Sequence, residues 1–141
     1  MKLENQVCTL EQAKKLKTIL GELYGLFVYM ENKALPSDSK IMLATQTESF
    51  KQMGKIEGSA WIKYYPAFTV SELSIMLPSE TYMKRTGSED SEYANWEWID
   101  DGNEAGWGNY NTQVEAAADM LIIYLEKNKL SVEACNERLL A

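Results

Sequence analysis

Three times along this chain a threonine is followed, three residues later, by Gln or Glu where an apolar pattern of helical period begins. The pairs are Thr9–Gln12, Thr69–Glu72 and Thr112–Glu115. Each reads as a capping box: the Thr hydroxyl accepts an N–H of the first helical turn, and the Gln or Glu side chain reaches back to the N–H of the Thr. Three fixed helix starts constrain the fold more than any other feature, because strands are confined to the chain between them.

After Thr9, Leu10, Ala13, Leu16, Leu20 and Leu23 recur at helical spacing, and Gly21 or Gly25 is placed to end the helix. After Thr69, Val70, Leu73 and Leu77 mark a short helix stopped by Pro78, with Phe68 and Leu73 spaced as a hydrophobic staple. After Thr112, Val114, Ala117, Ala118, Leu121, Ile122 and Leu125 follow the helical template in full, and Ser131 is placed to cap a last helix carrying Val132, Cys135 and Leu139. Between the boxes, β-prone runs stand at 26–30, 41–45, 60–65, 81–85, 93–99 and 107–110, with Pro66 closing the third. Pro36-Ser37-Asp38-Ser39 and Asp100-Asp101-Gly102-Asn103 are turn signals, and 46–58 fits no single pattern. The pattern predicts one α+β domain spanning 1–141: an antiparallel sheet of about four to five strands with three to four helices packed on it.

The charge is unevenly placed. The chain carries a net −7, yet no Lys or Arg occurs between Thr86 and Glu126, a stretch holding ten acids. Such a stretch is a poor surface for phosphate backbones, so direct nucleic-acid binding is not expected. It suits a solvated face or a contact with a basic partner. The longest strongly apolar run, Met120–Leu125, is too short to span a bilayer, and the N-terminus has no apolar core of signal-peptide length. A cytoplasmic protein with Cys8 and Cys135 reduced is expected.

Histidine is absent, which removes the usual neutral-pH base and the histidine-dependent triads and zinc sites; two isolated cysteines supply no four-thiolate site. Ser37-Asp38-Ser39-Lys40 matches S-x-x-K, but the companion motifs are missing. The acidic run 100–104 lacks EF-hand spacing, and no phosphate-cradling glycine motif occurs. No cofactor or metal is expected.

The remaining feature is an aromatic, acidic hairpin: Trp96, Glu97, Trp98, Asp100 and Asp101, returning through Trp107 and Tyr110. Its ordinary role is structural. As a site, these seven residues suit contact with a partner protein or a second copy of the chain, Trp and Tyr being favoured interface anchors. Two rival functions stay open. Glu97 with Asp100 or Asp101 supplies the acid and base of a small carboxylate-dependent hydrolase, and the acids of 86–126 suit an acidic nucleic-acid mimic that occupies a host DNA-binding protein.

Three segments carry a resemblance: 4–17 (Glu4-Asn5-Gln6-Val7-Cys8-Thr9-Leu10-Glu11-Gln12-Ala13-Lys14-Lys15-Leu16-Lys17), Pro66-Ala67-Phe68-Thr69-Val70-Ser71-Glu72-Leu73 running to Met76-Leu77-Pro78, and 115–128 (Glu115-Ala116-Ala117-Ala118-Asp119-Met120-Leu121-Ile122-Ile123-Tyr124-Leu125-Glu126-Lys127-Asn128). In this order they resemble a family of small uncharacterised proteins encoded by phages and prophages of gut bacteria. The chain departs from that pattern at Lys129, where Gly usually follows Asn, and in its tail from Ser131. The resemblance implies a non-enzymatic intracellular accessory protein of phage origin and brings no catalytic residue with it.

Overall fold

The computed structural model describes residues 2–32, 41–45, 62–79, 81–86, 95–100, 103–110 and 112–140. The turn at 36–39, the S-x-x-K match, the 46–58 stretch, Asp101 and the expected strand residues 60–61 and 93–94 lie outside them. The elements are α1 (Leu10–Leu20), β1 (Phe27–Asn32), β2 (Ile41–Thr45), β3 (Ile62–Ala67), α2 (Val70–Met76), β4 (Thr81–Thr86), β5 (Asn95–Asp100), β6 (Asn103–Tyr110), α3 (Gln113–Glu126) and α4 (Val132–Leu140). The class is α+β, with four α-helices among the described residues.

The strands divide differently from the expectation of one sheet. Among the described residues, β2-β1-β3 and β4-β5-β6 form two antiparallel sheets of three strands each. The break falls where the chain leaves β3 through the Thr69 cap into α2, which carries it off the first sheet before β4 begins. Pro66 does not close β3 but lies within it, opposite Val28. A proline is tolerated there because, among the described residues, β3 stands at the edge of its sheet, so its missing N–H removes no bond to a further described strand.

Two boxes form as expected and one forms by half. Thr9 with Gln12 and Thr69 with Glu72 make both reciprocal bonds. Thr112 accepts the Glu115 N–H at 3.2 Å, and no return bond is present among the described residues. The backbone gives the reason. Thr9 and Thr69 have φ of −69° and −81°, whereas Thr112 stands at −129°, which swings its N–H away from the N3 side chain. Gly21, with φ +75°, ends α1 in a conformation suited to glycine. Asn128, with φ 57°, ends α3: its N–H donates to the Leu125 carbonyl and that of Lys129 to the Tyr124 carbonyl. This is a Schellman motif with asparagine in glycine's place.

The core gathers around α3. Val114, Ala116–Ala118, Met120–Ile122, Tyr124 and Leu125 are all buried, so this helix is apolar on most of its circumference. It packs against α1, α2 and all three strands of the second sheet, while α1 also lies on β3 and α2 on α4. Phe68 and Leu73, the staple residues, are fully buried in the same cluster. Cys8 and Cys135 are unpaired thiols within it.

Candidate functional site

Two of the three capped starts open onto one groove of about 870 Å³. The first turns of α2 (Thr69–Glu72) and α3 (Thr112–Val114) form part of its wall. Leu26 and Phe27 at the entry of β1, and Asn5 and Gln6 of the N-terminal turn, form the rest. Leu26 is 60% exposed on this wall and offers an apolar contact there. The segment before α1 is held in place by Cys8, whose N–H donates to Phe68 O at 2.9 Å and whose carbonyl accepts the Tyr29 hydroxyl at 2.6 Å.

Among the described residues, Glu72 is the sole ionisable side chain on this wall. Its Oε1 accepts the N–H and the hydroxyl of Thr69, each at 3.0 Å, and its Oε2 accepts the Leu26 N–H at 2.8 Å. Three donors and the start of α2 therefore share its charge. Gly25 packs so closely on this carboxylate that a Cβ there would overlap it. The rest of the wall is apolar or neutral: side-chain amides and hydroxyls alternate with Leu, Phe and Val. Such a surface offers hydrogen bonds and apolar contact without selecting for a charged ligand.

A second polar cluster ties the groove to the fold. Gln12 is only 8% exposed. Its Oε1 accepts the Thr9 N–H at 3.1 Å, closing the first box. Its Nε2 donates to Glu115 O at 2.9 Å and to Asp119 Oδ1 at 2.8 Å, both on α3. Asp119 also accepts the hydroxyl of Tyr110, whose ionisation is pushed up by burial and by that carboxylate. Thus one chain of hydrogen bonds runs from the start of α1 through α3 to the end of β6.

The residues singled out from sequence fall as follows. Trp96, Glu97, Trp98 and Asp100 lie on β5, and Trp107 and Tyr110 on β6. The register sets Trp96 opposite Arg85 and Tyr110, Trp98 opposite Met83 and Gly106, and Glu97 opposite Lys84. The β5–β6 pairing shifts register between Trp96 and Trp98 and again before Ile99. Tyr110 is half-buried against the core, two residues before the Thr112 cap that enters the groove. Leu26, Glu72, Gln12 and Asp119 did not stand out as site residues in the sequence. Only the capping role of Gln12 and Glu72 is visible there; their second partners are remote in the chain.

Burial pushes the thiol of Cys8 up to about 12 and that of Cys135 up to about 11, so both are protonated and poorly nucleophilic at neutral pH. Among the described residues no group of three or more metal-ligating side chains is assembled, and no helix is long and apolar enough to cross a membrane. No protein-family model, no curated protein and no solved structure matches this chain.

Proposed function

We propose that this chain is a non-enzymatic, cytoplasmic accessory protein of the phage and prophage kind, a single domain that works by holding a partner protein. The observation that carries the reading is the groove: among the described residues its wall is neutral apart from a carboxylate already bonded to three donors, and an exposed leucine stands on it. An uncharged segment with apolar anchors, bonding through its backbone to the Asn, Gln, Ser and Thr side chains, is the occupant of matching chemistry. The aromatic residues Trp96, Trp98, Trp107 and Tyr110, with Glu97, Asp100 and Asp101, extend the contact along the hairpin, because Tyr110, the last residue of β6, stands two residues before the groove-lining Thr112.

The test is affinity capture from host cells with three folded baits: wild type, Ser71→Trp and a Trp96/Trp98/Trp107 triple alanine variant. Ser71 is exposed on the groove wall, so tryptophan there fills the groove without disturbing the core. We expect wild type to retain a partner, Ser71→Trp to lose it and the hairpin variant to hold it more weakly. A wild type that retains nothing, or a Ser71→Trp bait that retains the same partner equally well, overturns the reading.

A further inference from the structure

The outer edge of β3 is closed by groups from α1 and from the segment before it. In an antiparallel pair, alternate residues turn both backbone groups toward the neighbouring strand, and the residues between them turn both away. Pro66 has no N–H to exchange with Val28 across the ladder, so it belongs to the outward set, and so does Tyr64 two residues before it. The outward carbonyls are taken one after another. Tyr64 O accepts the Lys17 ammonium at 2.6 Å. Pro66 O accepts the Cys8 thiol at 3.6 Å. Phe68 O, just past the strand, accepts the Cys8 N–H at 2.9 Å, and Val7 forms an antiparallel bridge with Thr69. Lys17 is held at its carbonyl from two further sides: its Nζ lies 5.3 Å from the centroid of the Tyr65 ring and 3.9 Å from Glu22 Oε1. Lys63, exposed on the same strand, adds a charge to the edge.

An open strand edge presents its N–H and C=O groups to any other strand, and folds blunt such edges with lysine, proline and covering segments. All three devices meet here. We propose that Lys17 and Lys63, with Pro66 and the Val7–Cys8 segment, seal the edge of β3 against pairing with β3 of a second copy of this chain. A second copy fits this edge because the outward groups are self-complementary. An antiparallel two-fold through Lys63 sets the backbone of residue 64 in each copy opposite that of residue 62 in the other, an isologous contact. Lys17 already occupies Tyr64 O, one of the acceptors that this pairing needs. Lys63 stands opposite its own image, where like charges repel. Both obstacles lie on the part of β3 that the Val7–Cys8 segment leaves uncovered, since that segment reaches only residues 66–69. The seal is separate from the groove and does not depend on the groove's occupant.

Sedimentation velocity on the full chain tests the proposal, with folding checked by circular dichroism. We expect Lys17→Met/Lys63→Thr to self-associate, its weight-average mass rising toward that of a dimer with concentration. Wild type and Lys17→Arg/Lys63→Arg, which keeps both charges, are expected to show no such rise over the same range. Adding Tyr64→Pro to the opened variant removes the outward N–H, as Pro66 does two residues on, and is expected to restore wild-type behaviour. An opened variant that sediments as wild type does overturns the proposal. So does association that survives Tyr64→Pro, that the arginine variant shares, or that grows past a dimer. Should the opened variant not fold, Lys17→Met and Lys63→Thr are measured singly, and at least one is expected to associate more than wild type. If neither single variant both folds and associates, the lysines do not guard the edge and the proposal is wrong.

Discussion

Replacing Gln12 by alanine removes three hydrogen bonds from one buried site. The Thr9 N–H loses its acceptor, and Glu115 O and Asp119 Oδ1 lose a donor. A neutral bond is worth about 1 kcal/mol net and one to a charged group about 1.5 kcal/mol or more, with a further cost for partners left unsatisfied. The cap contribution is at the low end, because Thr9 Oγ1 still accepts the residue-12 N–H. Together these give about 3 kcal/mol, a sizeable part of the 5–15 kcal/mol typical of a domain, and a fall in Tm of roughly 6–12 °C. The control is Gln12→Glu, which keeps the shape and the acceptor but sets a second carboxylate against Asp119 Oδ1. It is expected to cost more than alanine at pH 7. The repulsion raises the folded-state pKa of the introduced acid above its unfolded value. Folded chains then bind the extra proton more tightly, and stability recovers as pH falls through the carboxylate range. Urea unfolding at several pH values, followed by circular dichroism and tryptophan fluorescence, reads all of this. A cost below about 1 kcal/mol for alanine, or a glutamate variant no worse than alanine at neutral pH, refutes the reasoning.

Gly25→Ala drives a Cβ into the Glu72 carboxylate, which must leave Leu26 and the α2 cap to make room; we expect a loss of about 1–3 kcal/mol, largely absent in the Glu72→Ala background, as measured by a double-mutant cycle. Thr69→Ala is expected to cost about 1–2 kcal/mol and Thr112→Ala closer to 0.5–1, since only the former removes a complete box; equal denaturation midpoints for the two would contradict the half-formed third box. The buried thiols stay protonated in the fold, with Cys8 raised from 9.0 to about 12 and Cys135 from 9.0 to about 11. Their contribution to stability is therefore full below pH 9 and lost as pH climbs towards 11–12. Stability curves across that range should fall less steeply for Cys8→Ala, and maleimide labelling of native protein at pH 8 should be slow and limited by unfolding.

What the sequence discloses, and what it hides, follows from distance along the chain. A cap works across three residues, so Thr9, Thr69 and Thr112 announce their helices without help from the rest of the fold. The burial of Val114, Ala117, Ala118, Leu121, Ile122 and Leu125 is equally legible, because a helical period is local. Pro66 misleads because its cost in a strand depends on whether a neighbour lies beyond, and strand order is not written locally. The division into two sheets is hidden for the same reason. The groove is hidden more deeply. Glu72 meets Leu26 across 46 residues, and Gln12 meets Asp119 across 107. A side chain already accounted for by its cap gives no sign that it has a second partner. The seven hairpin residues are visible as an aromatic and acidic pattern, whereas the exposure of Leu26 has no sequence signature.

The double role of Gln12 has a consequence for how the chain is made. Its amide nitrogen finds its partners only when residues 115–119 are present. At translation rates of about 5–20 residues per second, the 107 residues separating Gln12 from Asp119 take roughly 5–20 s to synthesise. Throughout that interval the nascent α1 has its local cap but not its anchor. Within this fold, α1 thus emerges from the ribosome well before the segment that locks it in place, and the order of synthesis runs opposite to the order of completion.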